Sequence, residues 1–469
     1  MPDGGPPGGP KTDGVKTLLG EPRRAILKLA IPMIVAMSVH TIYNFVDALW
    51  VSGLGPDALS ALGFFFPFMF MSIALATGLG VGSTSSISRR IGAGDKAGAD
   101  NVAVHTIIIM VIIATFFTIP LYIFAEDIFR QIGAAQTLEM TLSYARILFA
   151  GIIVLFFSNI ANAILRAEGD TKRAMYAMVL GAVVNIVLDP IFIYTFDLGV
   201  SGAAYATVLS MGITSMLLSY WLFFKADTYV SFAFRSFSFD SHIIRDIFKV
   251  GLPATVQQFS MSLTMLVMNI IIVEVGGTDG VAVYSTGWRV STIAILPLLG
   301  ISTAVVPVGG AAFGARAFDK LKDIFQYAIR IGLIMEIVIG ITTFVLAPQI
   351  AGLFTQAEGA GRIADDLITF LRIILLFYPS AAFGIMSSSI FQGTGRGVNA
   401  LIATLLRTVI FTPPLSYILA ITLDLGLPGI WWGLVVANVL GAIISFSWVT
   451  IYIRRLNGSV PAPPRPPVP

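Results

Sequence analysis

The 469-residue chain is 56% hydrophobic and 12% charged, with a mean hydropathy of +0.86 and a net charge of +3. A soluble chain of this length has no use for so much apolar surface, and its apolar runs outlast the helices of a buried core. The complete lack of cysteine excludes disulfides and thiol chemistry, and the pI near 9.0 reflects membrane orientation, not nucleic-acid binding.

In chain order, the Gly/Pro-rich residues 1–20 read as a disordered tail, without the apolar region of a cleavable signal at the extreme N-terminus. Twelve apolar spans follow, at 25–50, 58–88, 101–125, 139–165, 174–196, 200–224, 246–274, 280–312, 323–347, 364–392, 400–422 and 427–453. A Pro-rich tail, 456–469, closes the chain. With both termini on one side, that side takes all of the 29 Lys and Arg except Arg130, Arg146, Arg289, Arg362 and Arg372. The positive-inside rule then makes both termini cytoplasmic, which suits a multi-pass protein of the plasma or inner membrane.

The spans repeat. RAILKLAIP at 24–32 matches RDIFKVGLP at 245–253, an offset of 221. Gly78/Gly300 and Gly92/Gly314 keep an offset of 222, Gly169/Gly395 one of 226, and Asp197-Leu198-Gly199 pairs with Asp424-Leu425-Gly426 at 227. A slowly drifting offset across these landmarks is a duplication. The expected fold is an all-α integral membrane protein of 12 transmembrane helices, two six-helix bundles in a 6+6 pseudo-two-fold repeat. The N-lobe spans 21–225, a cytoplasmic linker 226–242, and the C-lobe 243–455. Paired bundles with a route between them are the architecture of secondary transporters.

Charge inside the spans marks the candidate site. His40, Tyr43, Asn44 and Asp47 fall at i, i+3, i+4 and i+7 and share a helix face in the first span. In the fifth, Asn185 and Asp189 are one turn apart, and Pro190 disfavours the bond to the Ile186 carbonyl, adding an oxygen beside them. Asn159 and Asn162 in the fourth span and Thr207 in the sixth are polar neighbours, and Pro32 is a place for the first helix to bend. The repeat leaves both aspartates unmatched: Met268 stands opposite Asp47, and Leu415 or Ser416 opposite Asp189. Scaffolding would be duplicated, whereas a coupling site need not be.

Each residue also has a plainer reading. A lone intramembrane Asn or Thr commonly makes an interhelical hydrogen bond, Tyr43 is a packing residue by default, and His40 suits a neutral hydrogen-bonded imidazole as well as a proton carrier. A mid-span aspartate reads as functional. Glu336 in the ninth span is a lower-ranked C-lobe candidate, Arg289 and Arg407 read as members of structural ion pairs, and Glu168 as an ordinary solvated or paired carboxylate at a span end. Only three histidines (His40, His105, His242), with no catalytic motif, exclude an enzyme, and no filter-like motif supports a channel.

SGLGPDALSALG after the first span, ILRAEGDTKRAM after the fourth and NIVLDPIFIYT in the fifth resemble the MATE (multidrug and toxic compound extrusion) transporters, over roughly residues 15–455. The likeness is to the archaeal members of the DinF-like branch. It implies a V-shaped pair of lobes that alternates access and exports organic, often cationic, compounds in exchange for H⁺ or Na⁺. No cofactor, nucleic acid or resident metal is expected, and a monomer is. By motif position, Asp47 and Asp189 form the N-lobe cation site, with Tyr43, Asn162, Asn185 and Thr207 beside them, Asn159 more peripheral and Pro32 as the bending proline. His40 departs from the pattern, in which glutamine occupies that position. A sodium version uses the oxygens of Asp47, Asn185, Asp189 and Thr207. The rival within transporters is a lipid-linked glycan flippase of a related fold, for which a basic cavity is expected.

Overall fold

The computed structural model describes residues 12–134, 136–225, 227–232, 237–356 and 360–458. Twelve helices are long and apolar enough to cross a membrane: α1 Pro22–Ser52, α2 Pro56–Gly92, α3 Lys96–Ile123, α4 Leu138–Ala167, α5 Thr171–Thr195, α6 Gly199–Phe224, α7 Ser241–Ala294, α8 Leu296–Gly314, α9 Phe318–Val345, α10 Gly361–Gly393, α11 Gly397–Thr422 and α12 Gly426–Gly458. Helix α7 outruns the predicted seventh span because its run bends at Gly277 (φ 59°, ψ −151°) and carries the start of the eighth. Local chemistry marks the starts. Asp95, Asp170 and Asp240 accept hydrogen bonds from the first-turn amides of α3, α5 and α7, satisfying donors with no partner inside the helix.

Two of the expectations shift. Residues 13–19 of the supposed N-terminal tail form a short helix, Asp13–Leu19, that buries Val15 and Leu18. Residues 1–11 and 459–469 of the two tails lie outside the described residues. The second concerns Glu168, which is neither solvated nor ion-paired but 1% exposed. Its carboxyl accepts from the Val230 amide at 3.0 Å, and burial pushes it up to about 8, with the Val230 bond pulling the other way.

The duplication reappears in the backbone. Left-handed φ values fall in pairs at the sequence offsets: Gly55 with Gly277, Gly94 with Arg316, Gly169 with Gly395, Asp197 with Asp424, and Gly199 with Gly426. A π-helical turn at Ile191–Thr195 in α5 likewise has its twin at Ile418–Thr422 in α11. Large aromatic side chains are fully buried in both lobes, Phe65, Phe129 and Phe149 in one and Phe370, Tyr378 and Trp431 in the other, and the buried apolar residues of the two connect into one core.

The lobes meet at the end that holds the described chain ends. A Cβ on Gly92 would collide with the Ala311 carbonyl and one on Gly314 with the Arg89 carbonyl, so α2 and α8 cross there backbone to backbone. Ser85 donates to the Gln392 carbonyl at 2.5 Å, Arg89 and Arg90 both reach Asp246 at 3.0 Å, and Ser86 donates to the same carboxylate at 2.8 Å. Among the described residues, no inter-lobe hydrogen bond involves α2 before Ala74.

Candidate functional site

Helices α1, α5 and α6 assemble the site. Asp189 is fully buried and Asn185, one turn earlier on the same face of α5, is 1% exposed. With the Asn185 amide oriented so that both ends find partners, its Nδ2 donates to Asp189 Oδ2 at 2.9 Å and its Oδ1 accepts from the Thr207 amide of α6 at 3.3 Å. From α1, the half-buried Asp47 brings its carboxyl beside that of Asp189. Tyr43, one turn back, lies beside Thr207 and close to both carboxyl groups.

Five predicted residues thus converge: Tyr43, Asp47, Asn185, Asp189 and Thr207. The others make no hydrogen bond to these five among the described residues. His40 is exposed and meets the Tyr43 ring at a tilt, centroids 5.4 Å apart, because a face of four residues spread over two turns is wider than the site. Asn159 and Asn162 donate to the Leu155 and Ser158 carbonyls of their own helix, which leaves the buried Asn162 Oδ1 without a partner. Pro32 is buried inside an uninterrupted α1. Glu336 is in the other lobe, fully buried, with neither carboxyl oxygen hydrogen-bonded. No group of three or more His, Cys, Asp or Glu able to hold a metal occurs among the described residues.

Sequence reasoning missed two tyrosines. Tyr144 of α4 stands near Asp47, Asp189 and Tyr43, and packs edge-on against Phe65 with ring centroids 5.3 Å apart. Tyr194, in the π turn of α5, donates to the Trp50 carbonyl at 2.5 Å and ties the end of α1 to α5. Tyr194 follows Asp189 by five residues on the same helix, but only the fold brings it to α1 and Tyr144 of α4 to the aspartates.

The unmatched C-lobe position also has a physical account. Ser416, the counterpart of Asp189 at the later offset, is fully buried, donates to the Ile430 carbonyl at 3.2 Å, and has Gly433 pressed against its backbone. That space is filled, so an acid there has nowhere to sit. The arginine expectations fail in two ways. Arg289 is exposed and Arg407 is 8% exposed, yet neither forms an ion pair among the described residues.

Two six-helix halves with paired carboxyl groups inside one of them define a membrane transporter. The profile of the MatE family matches residues 32–191 and 253–418. The chain is 28% identical over 441 residues to the multidrug export protein MepA of Staphylococcus aureus (strain N315), covering 92% of this chain and 95% of that one. It is similar to a multidrug-resistance MATE transporter of the MOP superfamily solved in an outward-facing conformation, with 47% identity, a TM-score of 0.93, and coverage of 96% and 100%. A MOP superfamily transporter from Pyrococcus furiosus gives 47% identity, a TM-score of 0.92, and coverage of 96% and 99%. The chain belongs to the MatE family. It is a multi-pass multidrug efflux transporter of organic compounds, not an enzyme.

Proposed function

We propose that the chain exports organic, often cationic, compounds in exchange for protons, with Asp47 and Asp189 as the coupling pair. The observation that carries this is that the two carboxyl groups are neighbours inside one lobe. Two ionised carboxylates side by side repel, so the pair favours sharing a proton and titrates as a unit. Asn185 and Thr207 hold Asp189 in place while Tyr43 of α1 lies beside α6.

When the pair is ionised, the N-lobe attracts a cation. When it is protonated from outside, that attraction is lost and α1 packs more tightly, with Pro32 as the bending point. Proton and substrate then compete through linkage without sharing an atom. The seal at the end carrying the chain ends, with no inter-lobe hydrogen bond on α2 before Ala74 among the described residues, supports a state open on the opposite side, with cytoplasmic termini. The two aspartates on the first and fifth spans support the DinF-like branch, with one copy of the chain as the working unit. His40 is a neighbour whose charge modulates the pair, and Glu336 a second position for a proton, in the C-lobe.

The test is efflux of a fluorescent cation from vesicles reconstituted with the protein, under a pH gradient or a Na⁺ gradient alone. Efflux driven by pH and lost in Asp47→Asn and Asp189→Asn is the expected result. Efflux driven only by Na⁺ would instead assign the oxygens of Asp47, Asn185, Asp189 and Thr207 to a sodium cage, and no gradient-driven cation efflux would point to a lipid-linked cargo.

A further inference from the structure

Arg407 is the feature that the transporter reading leaves unused. It stands about halfway along α11, where a lone charge in an apolar span is costly and marks function more often than scaffolding. It is 8% exposed, and among the described residues its guanidinium has no hydrogen-bond acceptor and no ion-pair partner. Its nitrogens are not among the fully enclosed polar atoms without a partner, so the residual exposure includes the charged end. A guanidinium stays ionised, and burying it without an anion is unfavourable.

The repeat shows that the position was remodelled around this side chain. At the offset of 226 that holds for Gly169/Gly395, the counterpart of Arg407 in α5 is Gly181, and that of Gly384 in α10 is Ser158. At the offset of 227 that holds for Gly199/Gly426, the counterpart of Gly441 in α12 is Thr214. In the N-lobe, Gly181 lies against Thr214, 2.6 Å from where a Cβ would stand to its hydroxyl. In the C-lobe the sizes are exchanged. A Cβ on Gly384 would stand 2.6 Å from Arg407 Nη1, and one on Gly441 would stand 2.7 Å from Arg407 Cβ. Two small residues therefore make room for the one large cation.

A further departure coincides with it. The π turn Leu406–Phe411 begins beside Arg407 and, unlike Ile418–Thr422, has no twin among the π turns of α5. It lies between Gly395 and Asp424, where the repeat offset rises from 226 to 227, so it takes up the single inserted residue. Such one-turn π segments inside α-helices are frequent at functional sites.

We propose that Arg407, seated between Gly384 and Gly441, is an anion-recognition site in the C-lobe that receives the carboxylate or phosphate of an amphipathic molecule. The planar fork of a guanidinium matches both groups in bidentate fashion. With carboxyl groups in one lobe and a guanidinium in the other, the transporter accommodates cargo that carries both signs of charge. The inference deepens the substrate side of the efflux reading and is independent of the coupling ion.

The test uses the full chain in phosphatidylcholine nanodiscs and two dyes that differ only at one group. Rhodamine 110 has a free carboxyl group and rhodamine 123 is its methyl ester. Arg407→Gln is expected to weaken rhodamine 110 binding at least about tenfold and to leave rhodamine 123 within about twofold; Arg407→Lys should retain part of the affinity. Gly384→Ala, which crowds the guanidinium without altering charge, should weaken rhodamine 110 in the same selective way, and it serves where Arg407→Gln does not fold. If a lipid headgroup is the natural occupant, adding phosphatidylglycerol displaces rhodamine 110 from the wild type, or itself binds in an Arg407-dependent way when the dye does not. Equal binding of rhodamine 110 by wild type and variants, loss of both dyes together, or no Arg407-dependent anion binding from either source would overturn the proposal. Failure of pH-driven efflux with the dye discrimination intact would overturn the coupling assignment alone.

Discussion

Gly92 of α2 and Gly314 of α8 occupy equivalent places in the two repeats, and each lies against the partner helix three residues before the other glycine, Gly92 on Ala311 and Gly314 on Arg89. The pseudo-two-fold axis passes between them. This reciprocal contact holds one end of the molecule shut, because only residues without a Cβ let two backbones come so close.

Replacing either glycine by valine should push α2 and α8 apart at that end, at a cost of about 1–3 kcal/mol of packing energy. The expected outcome is a shift toward separation of the lobes there, read as longer distances between spin labels on the two lobes. Unchanged distances in both variants would mean that the crossing does not hold the seal.

The Arg89 and Arg90 pairing with Asp246 reinforces the same closure, with the three side chains 18%, 21% and 23% exposed. Removing the carboxylate leaves two partly buried guanidinium groups facing each other, which costs more than the loss of a surface pair. Asp246→Asn should therefore open this end, and slower efflux with retained substrate affinity should accompany it. The spin-label distances and a binding isotherm measured side by side check this.

Asp47→Asn and Asp189→Asn should each lower pH-driven efflux by at least about tenfold. They should also remove the pH dependence of substrate affinity, since one neutral amide ends the shared titration. Asn185→Ala should act through Asp189, whose Oδ2 loses a donor at 2.9 Å, and should alter the pH profile of efflux while leaving some transport. Initial rates over pH 5 to 9 separate the two behaviours.

Glu168 makes a prediction about stability. Its folded carboxyl is raised to about 8 by burial, while in the unfolded chain it titrates near 4.3, so the folded state holds the proton over the interval between. The contribution of this group is most favourable below pH 4.3 and declines as pH rises toward 8, by a few kcal/mol overall. Glu168→Gln should flatten that decline, measured as thermal unfolding in detergent at pH 5 and pH 8.5. An equal pH response in both proteins would show that the group is not responsible.

The sequence by itself determined the membrane class, the twelve spans, the duplication and the two central aspartates. Hydrophobic length and the cost of intramembrane charge act locally, and a repeat leaves its offset in the chain wherever the fold does. It also singled out Asn185 beside Asp189, because one helical turn is enough to place them together. Tertiary structure decided the rest. Which face of α1 meets α5 left His40 exposed and brought Tyr43 in, and helix packing supplied Tyr144 from α4 and set Tyr194 of α5 on the Trp50 carbonyl. Burial of Glu168 depends on the Val230 amide, 62 residues away. Arg407 was visible as a deep charge, yet only the packed C-lobe, with Gly384 and Gly441 against it, showed that no carboxylate answers it among the described residues.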